Sequence, residues 1–182
     1  MITNNYKVLL NSFLFNAGGG SLKYGKQIVP EDNSSVYTAF TSTSNSSSWI
    51  TNLLTPVIKT ASSNNAATIS FGSGNQEASA SDYALGTPIY LLTQIGSTAH
   101  ELSIEDGLLV VKNIITVKNP TNDSITIKEL GLFVRIPTVA TQGGSSTVMK
   151  HVLIDRTVLE TPITLEPDEA VAITYKIKEA SS

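Results

Sequence analysis

The stretch Val171-Ala172-Ile173-Thr174-Tyr175-Lys176-Ile177-Lys178 decides the fold class. Val171, Ile173, Tyr175 and Ile177 alternate with small, polar or positively charged residues. That period of two gives an extended strand one apolar and one solvated face. The preceding Leu165-Glu166-Pro167-Asp168-Glu169 reads as a turn, because proline fixes φ and aspartate bonds its own backbone. Pro162 to Leu165 supplies a short strand before the turn, so a hairpin is expected here. Ile173 and Tyr175 are expected to be buried, and Lys176 exposed.

Working back along the chain, Leu108 to Lys118 is a long strand with apolar residues on both faces. Asn119-Pro120-Thr121-Asn122-Asp123 is a strong turn signal, and Ser124 to Ile136 returns. Ile125 and Ile127 share one parity, whereas Leu130, Leu132, Val134 and Ile136 continue on the other. The phase shift at Lys128-Glu129 predicts a β-bulge, with Gly131 easing the backbone. These two strands are expected to form a long hairpin at the centre of the sheet. Further strands are expected at Tyr6–Leu10, Ser35–Phe40, Trp49–Thr60, Ala67–Phe71, Ile89–Thr93, Glu101–Ile104 and Val148–Asp155. Ser81 to Gly86 is expected to make a single capped helical turn. Short strands at this spacing predict an all-β protein: an antiparallel β-sandwich or jelly-roll-like domain.

Composition agrees. The 182 residues include 22 Ser, 21 Thr and 13 Asn, types that favour turns, loops and strand surfaces over helix interiors. Only 15% are charged and the net charge is −3, which argues against a nucleic-acid surface. There is no cysteine, which removes disulfides, thiol nucleophiles and Cys-based metal sites. No apolar run approaches a membrane span. Thr41 to Ser48, Ala61 to Ala67 and Thr138 to Thr147 read as long polar loops. Residues 1–60 are expected to hold an N-terminal arm and strands of ambiguous pattern, and residues 61–182 the sandwich domain. Val8, Leu9, Leu10, Phe13, Leu14 and Phe15 match neither a strand nor a helical stripe, and Gly18-Gly19-Gly20 loosens their connection to the rest of the chain. The segment loosely imitates a signal peptide, but Asn11 and Ser12 interrupt its apolar run. It is read as an assembly arm, with an edge strand of its own sheet as the alternative.

Signals for chemistry are sparse. Gly72-Ser73-Gly74 lacks the third glycine and the helix of a dinucleotide loop and reads as a turn leaving a strand. His100 and His151 have Glu101 and Asp155 nearby, but strand-end histidines are far commoner than triads. Glu105-Asp106 and Asp168-Glu169 precede turns, where acidic residues serve solubility and turn chemistry. Glu31-Asp32-Asn33 and Asn122-Asp123 are calcium candidates without EF-hand spacing. Trp49, the single tryptophan, is either a core aromatic or a surface ring that stacks on sugars or anchors a partner. No catalytic residue, cofactor or metal is assigned.

Three segments carry a resemblance. They are Phe71-Gly72-Ser73-Gly74 with Asp82-Tyr83-Ala84-Leu85, then Ile127-Lys128-Glu129-Leu130-Gly131-Leu132-Phe133, then Leu153-Ile154-Asp155-Arg156-Thr157 running into Pro162-Ile163-Thr164-Leu165. Together they resemble a pattern in virion structural proteins of tailed bacteriophages, over roughly Ala67 to Ile177. The chain departs from it at Asp168-Glu169, where such proteins often carry glycine after the last proline. The resemblance marks Gly72, Gly74, Asp82, Leu85, Glu129, Gly131, Phe133, Arg156 and Pro162 as structural positions. It implies an all-β, non-enzymatic subunit in many copies within a virion assembled in the host cytoplasm. The implied partners are other virion proteins and copies of the chain itself, with neither nucleic acid nor membrane. The alternative is a receptor-binding module that uses Trp49 on host glycan.

Overall fold

The computed structural model describes residues 1–7, 9, 27–38, 56–60, 65, 67–106, 108–141 and 146–178. The strands are β1 (Gln27–Ile28), β2 (Val36–Thr38), β3 (Val57–Ile58), β4 (Ala67–Gly72), β5 (Pro88–Ile89), β6 (Thr93–Glu105), β7 (Leu108–Lys118), β8 (Ile125–Val139), β9 (Thr147–Leu165) and β10 (Ala170–Lys178). Several are longer than the sequence suggests: the expected 148–155 and 162–165 strands are both parts of β9. Among the described residues, helix is confined to residues 4–7 and 9.

Seven strands form one sheet around β8. β9 lies along one edge of β8, and β4 and β2 share the other. β1 extends β2, while β3 and β5 extend β4. β3 and β4 run parallel, with Val57 opposite Thr68, so this sheet is mixed rather than antiparallel throughout. The second sheet is antiparallel, with β7 between β6 and β10.

Both expected hairpins are corrected. β10 pairs with β7, Ile173 opposite Ile115, and β8 pairs with β9, Ile127 opposite Ile163. The turns at 119–124 and 166–169 therefore carry the chain from one sheet to the other. The cause is long-range: Ile115, Val117, Ile173 and Tyr175 from one sheet and Ile127, Leu132 and Ile154 from the other belong to a single core cluster. A hairpin would set those side chains beside one another in the same sheet. Asn119, fully buried, ties the two crossings together. Its Nδ2 donates to the carbonyls of Asp123 at 2.8 Å, Leu165 at 3.0 Å and Glu166 at 3.3 Å. Its Oδ1 accepts from Thr121 N and Oγ1, and its own N–H donates to Glu169 O.

The strand faces are as the alternation predicts: Ile173 and Tyr175 are buried and Lys176 is exposed. Tyr175 reaches across to donate its hydroxyl to Asp155 of β9. Burial, then the Asp155 charge, holds the phenol well above its ordinary pKa.

The N-terminus differs from expectation. Residues 4–7 are helical, where a strand was expected from Tyr6. Ile2 makes an antiparallel bridge with Asp155. Thr3 donates its N–H to Ile154 O at 3.0 Å and its hydroxyl to Leu153 O at 2.8 Å. The Asn5 amide exchanges bonds with the backbone of Val29. Leu9, expected as an assembly contact, is fully buried in the chain's own core, in the cluster that also holds Ile28, Val36 and Ile58. Val8, Leu10, Phe13, Leu14, Phe15 and Trp49 lie outside the described residues. No helix among the described residues is long and apolar enough to cross a membrane.

Candidate functional site

Glu129 is the centre of the most developed polar site. The β8–β9 ladder breaks after Ile127↔Ile163 and resumes at Glu129↔Val158, which is the expected bulge, formed with β9 instead of β7. Ile125 and Ile127 serve the main core before the break, and Leu130 and Leu132 serve it afterwards. Glu129, Gly131 and Phe133 are thereby turned to the opposite face of the sheet. There they meet the 73–87 segment, which connects β4 to β5.

Glu129 is 0% exposed, yet its carboxylate is fully provided for. Its Oε1 accepts the N–H groups of Gly74 and Thr87, each at 3.0 Å. Its Oε2 accepts Gly86 N at 3.2 Å and Arg156 Nε at 2.9 Å, and lies 2.7 Å from Arg156 Nη2. Arg156, on β9 opposite Gly131, continues outward. Its Nη1 donates to Asp82 Oδ2 at 2.7 Å and its Nη2 to Gln76 O at 3.1 Å. Burial alone would depress the Arg156 pKa, but its bonds to Asp82 and Glu129 leave it above its ordinary value.

The glycines are explained by Glu129. A Cβ on Gly72 would lie 2.5 Å from its Oε1, and one on Gly74 only 2.4 Å away. Asp82 does not cap a helical turn. Its carboxylate accepts Ser79 N at 2.8 Å, its N–H donates to Ser79 O, and it faces Arg156. Leu85, Phe133 and Leu153 pack together as a small second core. A Cβ on Gly131 would lie 2.8 Å from Leu85 and 2.9 Å from Leu153, so the close approach of these side chains requires glycine. A second ladder irregularity, between Leu132 and Phe133, buries Leu153 in this small core and Ile154 in the main one.

Eight of the nine marked positions thus converge. Pro162 does not: it is exposed, in the 159–162 stretch of β9 that has no partner in the β8 register. Proline brings no N–H to a ladder and fits where the ladder is interrupted. Chemically, the site is a lock. Two paired strands hold the backbone of a loop through one carboxylate and one guanidinium, with both carboxylate oxygens engaged.

A second cluster gave no sequence signal beyond Glu31-Asp32. Lys59 is buried, pairs with Glu31 and lies 4.3 Å above the centroid of the Phe133 ring. Asp32 pairs with Lys150, and its pKa is lowered to about 2, first by that lysine and then by Ser34. Its Oδ1 also accepts from Ser34 N and Oγ, an Asx turn. Glu31, Asp32, Lys150 and His151 line part of a cavity of about 180 Å³. The nearby lysines pair with both carboxylates of the Glu31-Asp32 candidate, and no three His, Cys, Asp or Glu among the described residues are placed to hold a metal.

His151 Nε2 is buried without a hydrogen-bond partner. Burial, then the charge of Lys59, lowers its pKa below 6.5, with Arg135 adding and Glu31 opposing. A histidine whose folded pKa is depressed favours the unfolded state once the unfolded chain binds the proton. Its contribution is neutral above about pH 7.5 and destabilising as pH falls through 6.5. The unfolding free energy is expected to decline between pH 7.5 and 5, and His151→Gln to flatten that decline. Urea titrations across this range check it. The Asp32–Lys150 pair is lost only as pH falls from 3.8 towards 2, outside that window.

The other candidates are dispersed. His100 is exposed on β6, in the other sheet from His151. Glu105 pairs with Lys112 at 3.1 Å and Lys176 at 3.4 Å. Asp168 takes a φ of 63° in its turn and pairs with Lys118 at 2.8 Å. Glu169 accepts Glu166 N across the same turn. Asp123 serves Asn119 and Thr121 through its backbone carbonyl.

No protein-family model matches the chain, and neither a curated protein nor a solved structure does.

Proposed function

We propose that the chain is a non-enzymatic structural component of a bacteriophage virion, present in many copies and packed against other proteins of the capsid, portal-vertex collar or tail. In this reading the two sheets make a sandwich-like subunit assembled in the host cytoplasm. One observation supports it above the rest. Eight of the nine marked positions, scattered from Gly72 to Arg156, meet in the Glu129 lock and its neighbouring apolar cluster. Short motifs that coincide by chance would fall at unrelated places. A signature of a fold gathers where the fold is fastened. The lock immobilises a loop and presents no free acid or base of its own, which suits a residue set kept for shape. Particles of the phage that encodes the chain test the proposal. Mass spectrometry of density-purified, salt-washed particles is expected to find the chain in multiple copies each. A chain abundant in infected-cell lysate and missing from such particles would overturn it.

A further inference from the structure

Among the described residues, the three-stranded sheet has two open edges: no strand pairs with β6 or β10 on the side away from β7. Proteins usually blunt such edges with bulges, prolines or lysines. β10 carries Lys176 and Lys178, which oppose pairing with a like-charged edge and leave an acidic edge as its fitting partner. The first half of β6 is blunted, because its ladder with β7 breaks between Ile95 and Ala99, where Gly96 takes a φ of 70°. The second half is not. Residues 99–105 pair regularly with β7, contain neither proline nor lysine, and expose 57% of Leu102 and 78% of Ile104.

The rows across this sheet say what fits the edge. On one face, Lys176 of β10 stands beside Lys112 of β7, which stands beside Glu101 of β6. On the other, Ile177, Val111 and Leu102 form the matching apolar row. One edge thus ends in Lys176 and half-buried Ile177, and the other in Glu101 and exposed Leu102. We propose that a second copy of this chain lays its β10 along β6, head to tail, so that the sheet continues from copy to copy. Glu101 then faces Lys176 of the next copy, and Leu102 meets its Ile177. β6 and β10 both run antiparallel to β7, so the new pair is parallel. Such a contact uses two different surfaces and closes into a ring or extends as a filament. Self-pairing of β6 is disfavoured. The register that brings Leu102 against Ile104 also sets Glu101 opposite Glu105 on one face, and like charges directly opposed are destabilising.

The inference rests on the multi-copy role only in taking a second copy as the occupant. Because the chain has no cysteine, cross-links test it cleanly. Ala99 and Thr174 flank the same β7 residue, Ile114, and both are exposed. In the proposed register Ala99 lies opposite Thr174 of the next copy, at the roughly 5 Å strand spacing that a disulfide spans. Mild oxidation of Ala99→Cys/Thr174→Cys is expected to give a ladder of covalent dimers, trimers and higher species, while each single variant gives none. Adding Glu101→Lys is expected to abolish the ladder at low salt. Covalent dimers from either single variant, or a double variant that stays monomeric by light scattering and forms no ladder, overturn the proposal. Virions containing the chain without a ladder refute this contact alone. A ladder from a chain missing from virions refutes the virion role alone.

Discussion

Glu129→Ala is expected to lower the unfolding free energy by about 3–5 kcal/mol, the usual range for removing one partner of a buried ion pair. The substitution leaves Arg156, 3% exposed, with Asp82 as its remaining anionic partner at one end of the guanidinium. It also leaves the N–H groups of Gly74, Gly86 and Thr87 without the acceptor they share. Unsatisfied buried donors cost about 1–3 kcal/mol each, less where water reaches the new cavity, so the lower bound does not depend on the ion pair alone. Total stabilities run to roughly 5–15 kcal/mol, so the variant stays measurable in urea or unfolds outright. Glu129→Gln, which keeps the shape and the acceptor oxygen, is expected to fall between. Adding Arg156→Met to Glu129→Ala is expected to recover part of the loss, because the stranded charge goes with it. A loss under about 1 kcal/mol for Glu129→Ala would mean that the lock contributes little beyond hydration of the same groups.

The parts legible in the sequence are those set by neighbours along the chain. The alternation from Val171 to Ile177 fixed the faces of β10, and the parity switch between Ile127 and Leu130 located the bulge at Glu129. Partner strands were not legible. Asn119-Pro120 and Pro167-Asp168 are good turn chemistry for a hairpin and equally good for a crossing between sheets. Which one forms depends on where Ile115 and Ile173 find apolar company. The same limit hid the Lys59–Glu31 and Arg156–Asp82 pairs, whose members lie 28 and 74 residues apart. Glu129 was legible as a bulge position and, through the resemblance, as a structural one, but not as a buried anion. A glutamate in a strand reads as solvated until three backbone N–H groups and a guanidinium are seen to surround it. Leu9 was misread for a related reason. An apolar segment without a clear period needs a cover, and the sequence does not say whether its own core or a neighbour supplies it.

Ile173→Asp is expected to cost about 4 kcal/mol or more, since it deletes a core side chain and strands an unpaired charge. Ile173 is 6% exposed, stands opposite Ile115, and shares its cluster with residues of both sheets. The side chains of that cluster are apolar or aromatic and carry no positive charge to meet the new carboxylate. Ala172→Asp is the control. It adds the same charge one residue away, on the exposed face of the same strand beside Thr116. Surface substitutions of this kind usually stay within about 0.5 kcal/mol. The pair therefore tests the face rather than the strand, because any general intolerance of aspartate in β10 would appear in both. Thermal melts followed at a β-sheet circular-dichroism band decide it: a large drop in midpoint for Ile173→Asp beside a near-native midpoint for Ala172→Asp. Equal midpoints, or the reverse order, would place Ile173 outside the core and remove the reason for reading 119–124 and 166–169 as crossings between sheets.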